Sequence, residues 1–386
     1  MATTRRGALP NTLPTLNPEQ LRYYRLAQNG LIVPFAGPEA AASALVGVQA
    51  QILPAAALAL WNRATGLSAA QVDDLLYTRR TLVKLWGQRN TLHLYASRDW
   101  PLLHAARSLN RTWWERQAER DGQAPETRQA LIDRVAAALR AQESMGRSDL
   151  RGPEWGLEDD DDLLSPWGGI FADLVRLGIA CHAGRSHGEG RFAHRERWLP
   201  DLAWEPPSAH DANLTIARRF FDAYGPATVQ DYVYWRGLPQ ATARAWLREL
   251  EPELTEVVCA EQPMLVRRDH LPRLMATPPE PEAWPVRLLY RFDPYLLAHR
   301  DKAWAVPAAH YNQVWRPAGH IEGIVLAHGQ ATGVWRYDRE GRGLAIQVRP
   351  FAPLPTYVAA QLPDLAARVA AFFDRPLTDL TVAAPS

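Results

Sequence analysis

Cysteine is scarce in this sequence, which has only two cysteines in 386 residues. Cys181 and Cys259 lie far apart and are not surrounded by residues at metal-ligand spacing. The sequence therefore predicts neither a disulfide framework nor a thiolate metal site, and a reducing compartment suits it. The first residues include Arg5 and Arg6 but lack the apolar core of an export signal, so we expect a cytoplasmic protein.

Long apolar runs of the kind that cross a membrane are also missing. One stretch, from Ala40 to Asn62, carries no charge, but serine, glycine, glutamine and proline residues interrupt it. A membrane helix needs about 20 predominantly apolar residues in succession. We therefore expect packed helices here and no association with a membrane.

Several motifs of common enzyme chemistry are absent as well. The sequence has no phosphate-binding glycine loop, no cluster of metal ligands and no nucleophile elbow. His182, beside Cys181, is expected in the core or at the surface and not as a ligand. The acidic run Glu158–Asp162 is expected to be a solvated loop. We predict no metal and no cofactor, which argues against nucleotide hydrolysis and zinc chemistry.

Positive charge is concentrated in one segment, although the formal net charge is only +1. So small a net charge argues against a protein that coats nucleic acid indiscriminately. Between Arg79 and Arg111, however, seven basic residues accompany a single acid, Asp99. This segregation favours a basic binding face, and solvated surface charge is the alternative.

The order of predicted elements in the first third is typical of a winged helix. Helix-start signals at Asn17-Pro18, Pro38 and Ser68, with a further helix from Ala55, precede two strand-like runs. These runs, Thr81–Trp86 and Thr91–Tyr95, are joined by turn residues 87–90. Helices followed by a hairpin make up this helix-turn-helix variant, whose hairpin is the wing.

The same pattern recurs, so we predict an α+β fold, mainly α, with three tandem winged-helix modules. Module 1 spans residues 1–125, module 2 spans 126–206 and module 3 spans 207–283. Beyond the proline-rich linker 278–285, strand patterns dominate and a helix is expected over Gln361–Phe373. Residues 284–386 are therefore predicted to form a small, barrel-like, β-rich domain.

Two glutamines, Gln49 and Gln51, lie in an otherwise apolar segment. A long amide needs hydrogen-bond partners if it is buried. Residues i and i+2 do not share a helix face, so the two amides converge only if a helix ends between them, and Pro54 favours such an end. The alternative interpretation is that both amides satisfy free carbonyls at a helix end.

Four segments together resemble signatures of the AlkZ and YcaQ family of DNA glycosylases. The first two are Val48-Gln49-Ala50-Gln51 and the wing, residues 85–94, which reads LWGQRNTLHL. The later two are residues 292–302, FDPYLLAHRDK, and residues 329–336, GQATGVWR. They occur in the family's order and span most of the chain.

The resemblance implies three winged helices and a C-terminal β element around a concave surface for double-stranded DNA. It implies that Gln49 and Gln51 are catalytic, and the glutamine at the second position is similar to the AlkZ branch, whose substrates include bulky adducts and interstrand crosslinks. Two departures are present. Asn90 replaces a glycine of the wing motif, and asparagine tolerates the positive φ of a turn. Ala50 is smaller than the usual middle residue, which leaves the lesion preference open.

The chemistry of such an enzyme follows from its substrate. A purine alkylated at N7 or N3 is cationic and leaves without a proton from a general acid. The enzyme must then stabilise an oxocarbenium-like sugar and direct a water to it, and amide oxygens suit both tasks. We expect a monofunctional glycosylase that spares unmodified purines.

Supporting residues are expected near both motifs. Asp293 is expected to orient an arginine and not to act as a base. Trp86, Trp113 and Trp114 could stack on bases, although core packing is favoured. The predicted DNA-contacting set, for which surface ion pairs are the alternative, is Lys84, Arg89, His93, Arg291, Asp293, His299, Arg300 and Lys302.

Two other functions remain open from the sequence. A non-catalytic winged-helix regulator is the main alternative, and it would typically dimerise to bind two half-sites. No heptad segment suited to a dimer seam is present, so we expect a monomer. A scaffold that uses winged helices for protein contacts would leave the basic segment from Arg79 to Arg111 without a ligand.

Overall fold

The computed structural model describes residues 13–107, 126–157, 162–165 and 168–385. Arg111, Trp113, Trp114 and most of the acidic run lie outside these ranges. Within them the protein has a mixed α/β fold. None of the helices in the described ranges is long and apolar enough to cross a membrane.

Three of the first four helices begin at the predicted signals, and the third begins at Leu53, two residues ahead of the predicted Ala55. Helix α1 (Pro18–Gln28) carries the expected capping box, in which Asn17 and Gln20 exchange hydrogen bonds. Ser68 and Gln71 form the same box at α4. Such a box satisfies N–H groups that the helix itself leaves unpaired. The bounds of the other two are α2 (Pro38–Ala44) and α3 (Leu53–Trp61), and α4 is Ala69–Asp73.

Two predicted hairpins join in a single sheet. The first pairs β3 (Leu82–Trp86) with β4 (Leu92–Ala96), and the second pairs β5 (Ala180–Ser186) with β6 (Glu189–His194). Strand β2 (Val48–Gln49) lies against β4, and Lys84 of β3 pairs with His182 of β5. The strand order is β2-β4-β3-β5-β6. The segments predicted as modules 1 and 2 therefore share one sheet, and their division into separate winged-helix modules stays a prediction.

Helices cover this sheet and continue into the third segment. Three helices precede the hairpin of β7 (Leu254–Cys259) and β8 (Gln262–Arg267), as predicted. Strand β1 (Thr15–Leu16) pairs in parallel with β7. A segment near the N-terminus therefore adds a third strand to the sheet of β7 and β8. The helices are α5 (Trp100–Arg107), α6 (Glu126–Ala141), α7 (Gly169–Arg176), α8 (Arg195–Trp198), α9 (Ala209–Tyr224), α10 (Val229–Arg236), α11 (Gln240–Glu249) and α12 (Leu271–Leu274).

The C-terminal unit is β-rich but open, so the barrel-like prediction is wrong. Its five-stranded sheet has the order β15-β14-β13-β12-β9, and the two end strands do not pair with each other. Helix α15 begins at Thr356, ahead of the predicted start, and the parallel edge strand β15 was not predicted. The elements are β9 (Arg287–Leu289), α13 (Pro294–Leu297), α14 (Tyr311–Val314), β10 (Trp315–Arg316), β11 (His320–Ile321), β12 (Gly323–Ala327), β13 (Gln330–Glu340), β14 (Gly343–Pro350), α15 (Thr356–Phe372) and β15 (Leu377–Val382).

A buried ion pair connects the C-terminal unit to the first helices. Both carboxylate oxygens of Asp293 accept from the Arg63 guanidinium, at 2.7 and 2.8 Å, and both side chains are 0% exposed. Arg63 also donates to Asn29, at its carbonyl and its side-chain oxygen, and to the Ala59 carbonyl. These bonds use all five guanidinium donors. The pair therefore fixes α1, α3 and the start of α13 against one another.

We predict that Asp293→Ala lowers the free energy of unfolding by about 3–5 kcal/mol, because it leaves a buried, uncompensated guanidinium. Asp74→Ala is the matched control, since Asp74 pairs with Arg79 at the surface with side chains 41% and 57% exposed. Such exposed pairs contribute about 0–1 kcal/mol. Urea unfolding followed by circular dichroism measures both changes, and equal losses in the two variants would contradict the assignment.

Candidate functional site

Gln49 lies on strand β2, and Gln51 lies in a bend two residues before α3 begins at Leu53. Gln49 pairs with His93 across β2 and β4, and the Ala50 N–H donates to the Leu92 carbonyl at 2.6 Å. Helix α2 already ends at Ala44. The expected helix end between the glutamines is therefore wrong.

The partners of the two amides come from the wing. Gln49 is 8% exposed, and its oxygen accepts from the Arg89 guanidinium at 3.4 Å. The oxygen of Gln51 accepts from the Leu92 N–H at 3.1 Å. Neither bond satisfies a helix carbonyl, so the helix-cap alternative is also wrong. An amide oxygen has two lone pairs, and each oxygen uses one within the described residues, which leaves capacity for a water.

Arg89, Lys302 and Tyr234 form a cluster beside Gln49. The Arg89 guanidinium lies 5.3 Å and the Lys302 ammonium 4.8 Å from the centre of the Tyr234 ring. Lys302 also donates to the carbonyls of Leu296, at 2.8 Å, and His299. Burial, together with the smaller effect of the Arg89 charge, lowers the pKa of Lys302 to about 7. The structure thus brings two predicted DNA-contacting cations together on a tyrosine that the sequence did not single out.

Two residues of the wing turn have a left-handed backbone conformation. Arg89 and Asn90 have φ of 53° and 57°, in the left-handed region. Asparagine accepts this conformation more readily than most residues, so the expectation that Asn90 can replace the glycine agrees with the backbone. The turn packs against Gly237, at the end of α10. This contact sets Arg89 against Tyr234, which lies on the same helix.

His93 is neutral and enclosed. It is 5% exposed, and its Nδ1 lies 2.9 Å from the Thr91 carbonyl. A carbonyl only accepts, so Nδ1 carries the proton and Nε2 has none. Burial lowers the pKa of His93 to about 3, opposed by the bond to Thr91. The predicted phosphate contact is wrong for His93, because a neutral ring whose N–H is already bonded gives a phosphate neither charge nor donor.

Two other predicted DNA contacts lie in the interior. Asp293 is bound to Arg63, as described above, which confirms that it orients an arginine. His299 is 3% exposed, and its Nε2 donates to the Tyr224 carbonyl at 2.8 Å. Burial holds the pKa of His299 well below its ordinary value. Neither side chain reaches DNA, so both predicted contacts are wrong.

The other predicted contacts differ in exposure. Arg291 is half-buried and pairs with Glu322 at 3.5 Å, which is the ion-pair alternative. The Arg300 side chain is exposed, and its backbone N–H donates to Asp231 at 2.7 Å. Lys84 is half-buried and lines a cleft together with Gln51. Arg300 and Lys84 therefore remain candidates for contact with DNA.

The basic segment does not present all its charges on one face. Arg79 pairs with Asp74 at 2.6 Å, while the Arg80 guanidinium lies over the Trp198 ring, 4.0 Å from its centre. Burial lowers the pKa of Arg107 to about 10. Trp86 stacks on Phe192 and is 8% exposed, which confirms core packing for this tryptophan. The positive charge near Gln49 therefore comes from Arg89 and Lys302 and not from the basic segment as a whole.

Comparisons with known proteins agree with the resemblance in the sequence. A family model described as DNA glycosylase AlkZ-like matches residues 42–372. An interstrand DNA cross-link repair glycosylase from Streptomyces sahachiroi is 30% identical over 309 residues, which cover 75% of this chain and 80% of that protein. The solved structure of the Streptomyces sahachiroi DNA glycosylase AlkZ superposes with a TM-score of 0.78 at 24% identity, over 96% of this chain and 100% of that one.

The protein is thus a DNA glycosylase, an enzyme that hydrolyses N-glycosyl bonds. Within this class, the chain belongs to the AlkZ-like family. The likeness to the solved structure shows that the fold is shared along nearly the whole chain.

We predict that buried His93 makes the protein less stable as the pH falls below neutral. Its pKa is lowered in the folded state, so the stability is fully present above the unfolded pKa of about 6.5 and is lost as the pH falls from there toward 3. At pH 5 the loss from this ring is about 2 kcal/mol. Urea unfolding at pH 7 and pH 5 should show a smaller loss for His93→Gln than for the parent. Equal losses would contradict the neutral ring.

Proposed function

We propose that this protein removes purines that carry a cationic alkyl adduct at N7 or N3 from double-stranded DNA by hydrolysis, with Gln49 and Gln51 as catalytic residues. The observation that supports this most is that the oxygens of Gln49 and Gln51 both bond to residues of the wing, Arg89 and Leu92, and each keeps a free lone pair within the described residues. Membership of a glycosylase family favours an enzyme over a winged-helix regulator.

The chemistry asks little of a general acid or base. The cationic base is already a good leaving group, so the barrier lies in charge that develops on the sugar. Amide oxygens direct the negative end of their dipoles at that charge and accept the hydrogens of the attacking water. The segment 48–51 contains no carboxylate, so the site has no strong base for purines that are not activated.

Phosphate binding is assigned to Arg89, and Lys302, which is only 6% exposed, contributes positive potential beside it. Both charged groups lie against the Tyr234 ring, and Arg89 also bonds to Gln49. A DNA phosphate bound there would offset the repulsion between the two positive charges. A phosphate held there brings its sugar toward the two amides. His93, which is neutral and lies on β4 of the wing opposite Gln49, carries no charge into the site.

We also propose that the substrates include interstrand crosslinks. The relative from Streptomyces sahachiroi is described as a glycosylase of interstrand crosslink repair, and Gln51 is similar to the AlkZ branch. A crosslinked purine at N7 carries the same positive charge as a methylated one. The same two amides can therefore act on both.

We predict that Gln49→Ala and Gln51→Ala each lower single-turnover excision of N7-methylguanine by roughly a hundred to a thousand fold, the usual loss for one preorganised electrostatic group. Affinity for the duplex should barely change, because binding depends on phosphates. Release of the free base at saturating enzyme measures the rate, and fluorescence anisotropy measures the affinity.

Gln71→Ala is the matched control, because its amide caps a helix and lies outside the site. It should lower stability by about 1 kcal/mol and leave excision unchanged. Rates for the Gln49 and Gln51 variants within about threefold of the parent, at a temperature where all are folded, would remove the catalytic assignment.

A further prediction concerns salt. Duplex affinity should fall steeply as the salt concentration rises, because phosphate contacts release counterions. Arg89→Glu should weaken binding to every sequence alike by tenfold or more, since it reverses a charge beside Lys302. Arg79→Glu is the control, because Arg79 is exposed and already paired with Asp74. Anisotropy titrations at two salt concentrations test this, and a flat response would contradict the proposed mode of binding.

A further inference from the structure

A cleft of about 280 Å³ lies between the two hairpins of the five-stranded sheet. Lys84 and His182, which pair across β3 and β5, both line it, and Gln51 and Leu92 line it as well. Three stacked rings form its apolar wall. Phe192 lies parallel to Trp86, with ring centres 5.9 Å apart, and to Phe171, at 4.5 Å. The cleft therefore adjoins the proposed catalytic segment directly.

Positive charge dominates the cleft. Lys84, Arg147 and Arg185 line it, and Glu189 is the one carboxylate among its lining residues in the described ranges. Glu189 is already bound, since it accepts from the Ser148 hydroxyl at 2.5 Å and lies 3.6 Å from Arg191 and 3.9 Å from Arg147. Because the carboxylate of Glu189 is engaged by these residues, it does not neutralise the charge of Lys84.

Lys84 is the cation without a partner. Across the part of the chain that the structure describes, its ammonium makes no hydrogen bond and no ion pair. Burial, together with the smaller effect of the Arg185 charge, lowers the pKa of Lys84 to about 8. A half-buried, unpaired charge is costly, and an anion in the cleft would offset the cost. Arg185 is exposed and donates to the Gly188 carbonyl at 2.5 Å, which holds its guanidinium near the turn of the second hairpin.

His182 adds a polar group that is also unsatisfied. Its Nδ1 is buried and has no partner within the described ranges. Burial lowers the pKa of His182 to about 3, so the ring is neutral. A Cβ on Gly190 would lie 2.9 Å from its Nε2, so the glycine permits a close approach of the ring to β6. A neutral imidazole can form a hydrogen bond with a sugar oxygen or a phosphate ester without adding another positive charge to the cleft.

We propose that this cleft binds one phosphate, with its attached deoxyribose, of the DNA strand that carries the lesion, and that Lys84 and Arg185 contact the phosphate. The volume exceeds that of a phosphate and leaves room for the sugar. The shared residue Gln51 places this sugar-phosphate unit next to the sugar undergoing hydrolysis. The inference rests on the proposed function, which supplies the damaged strand, and adds a second phosphate contact to that of the Arg89 cluster.

Binding to a duplex that cannot be hydrolysed tests the proposal separately from excision. The probe carries 2′-fluoro N7-methyldeoxyguanosine, because fluorine disfavours the oxocarbenium ion, and a single neutral methylphosphonate is moved along each strand in turn. For the parent, one or two adjacent positions on the damaged strand, apart from the position held by the Arg89 cluster, should lower affinity about tenfold, the loss expected for one charge-assisted hydrogen bond. Lys84→Gln should bind the unmodified probe about tenfold more weakly and lose nothing further at those positions.

Two more variants make the result specific. Arg185→Gln, which changes an exposed side chain, should show the same coupling at the same or the adjacent phosphate, and it guards against misfolding of Lys84→Gln. Arg98→Gln is the control, because Arg98 is exposed and outside the cleft. Its effect should add to that of the methylphosphonate at every position along the cleft-facing phosphates.

Strictly additive effects for Lys84→Gln and Arg185→Gln, or coupling to the undamaged strand, would overturn the proposal while leaving the proposed function intact. If base release failed but the coupling persisted, the proposed function would fail and the phosphate site would stand. The two ideas are thus separable in one set of variants.

Discussion

The architecture depends on the buried ion pair between Arg63 and Asp293. Its guanidinium is fully hydrogen-bonded to the end of α1, to α3 and to the carboxylate that begins α13. Asp293 also accepts from the Tyr295 N–H, so one carboxylate caps a helix and binds a cation. A pair of this kind is tolerable in an interior only when every donor is satisfied. These hydrogen bonds hold the C-terminal unit against the first helices.

The position of the candidate site depends on this attachment of the C-terminal unit. The chain leaves α13 through His299, which is bonded to the Tyr224 carbonyl of α9, and reaches Lys302 beside Tyr234 of α10. Arg89 meets the same tyrosine from the wing and bonds to Gln49. Four distant parts of the chain therefore supply the proposed catalytic segment and the charges beside it. A shift of any one of them would separate the cations from the amides.

Local features were predictable from the sequence where local chemistry decides them. The capping boxes at Asn17 and Ser68 and the wing hairpin all follow from short segments. The conformation of Gln49 did not, because β2 is two residues long and extended only through its pairing with β4. Tyr234 gave no signal, since an exposed aromatic on a helix has many uses. The burial of His93, Asp293 and His299 depends on contacts with residues remote in sequence, which patterns of charge do not reveal.

The most direct test of the account is base release from a duplex that contains a single N7-methylguanine, assayed with and without a chelator. The account predicts that free N7-methylguanine and an alkali-labile site appear together, at the same rate in EDTA, with no release from an unmodified duplex of the same sequence. Absence of free base at saturating enzyme, with binding to the duplex intact, would contradict the central claim and leave a DNA-binding protein without this activity.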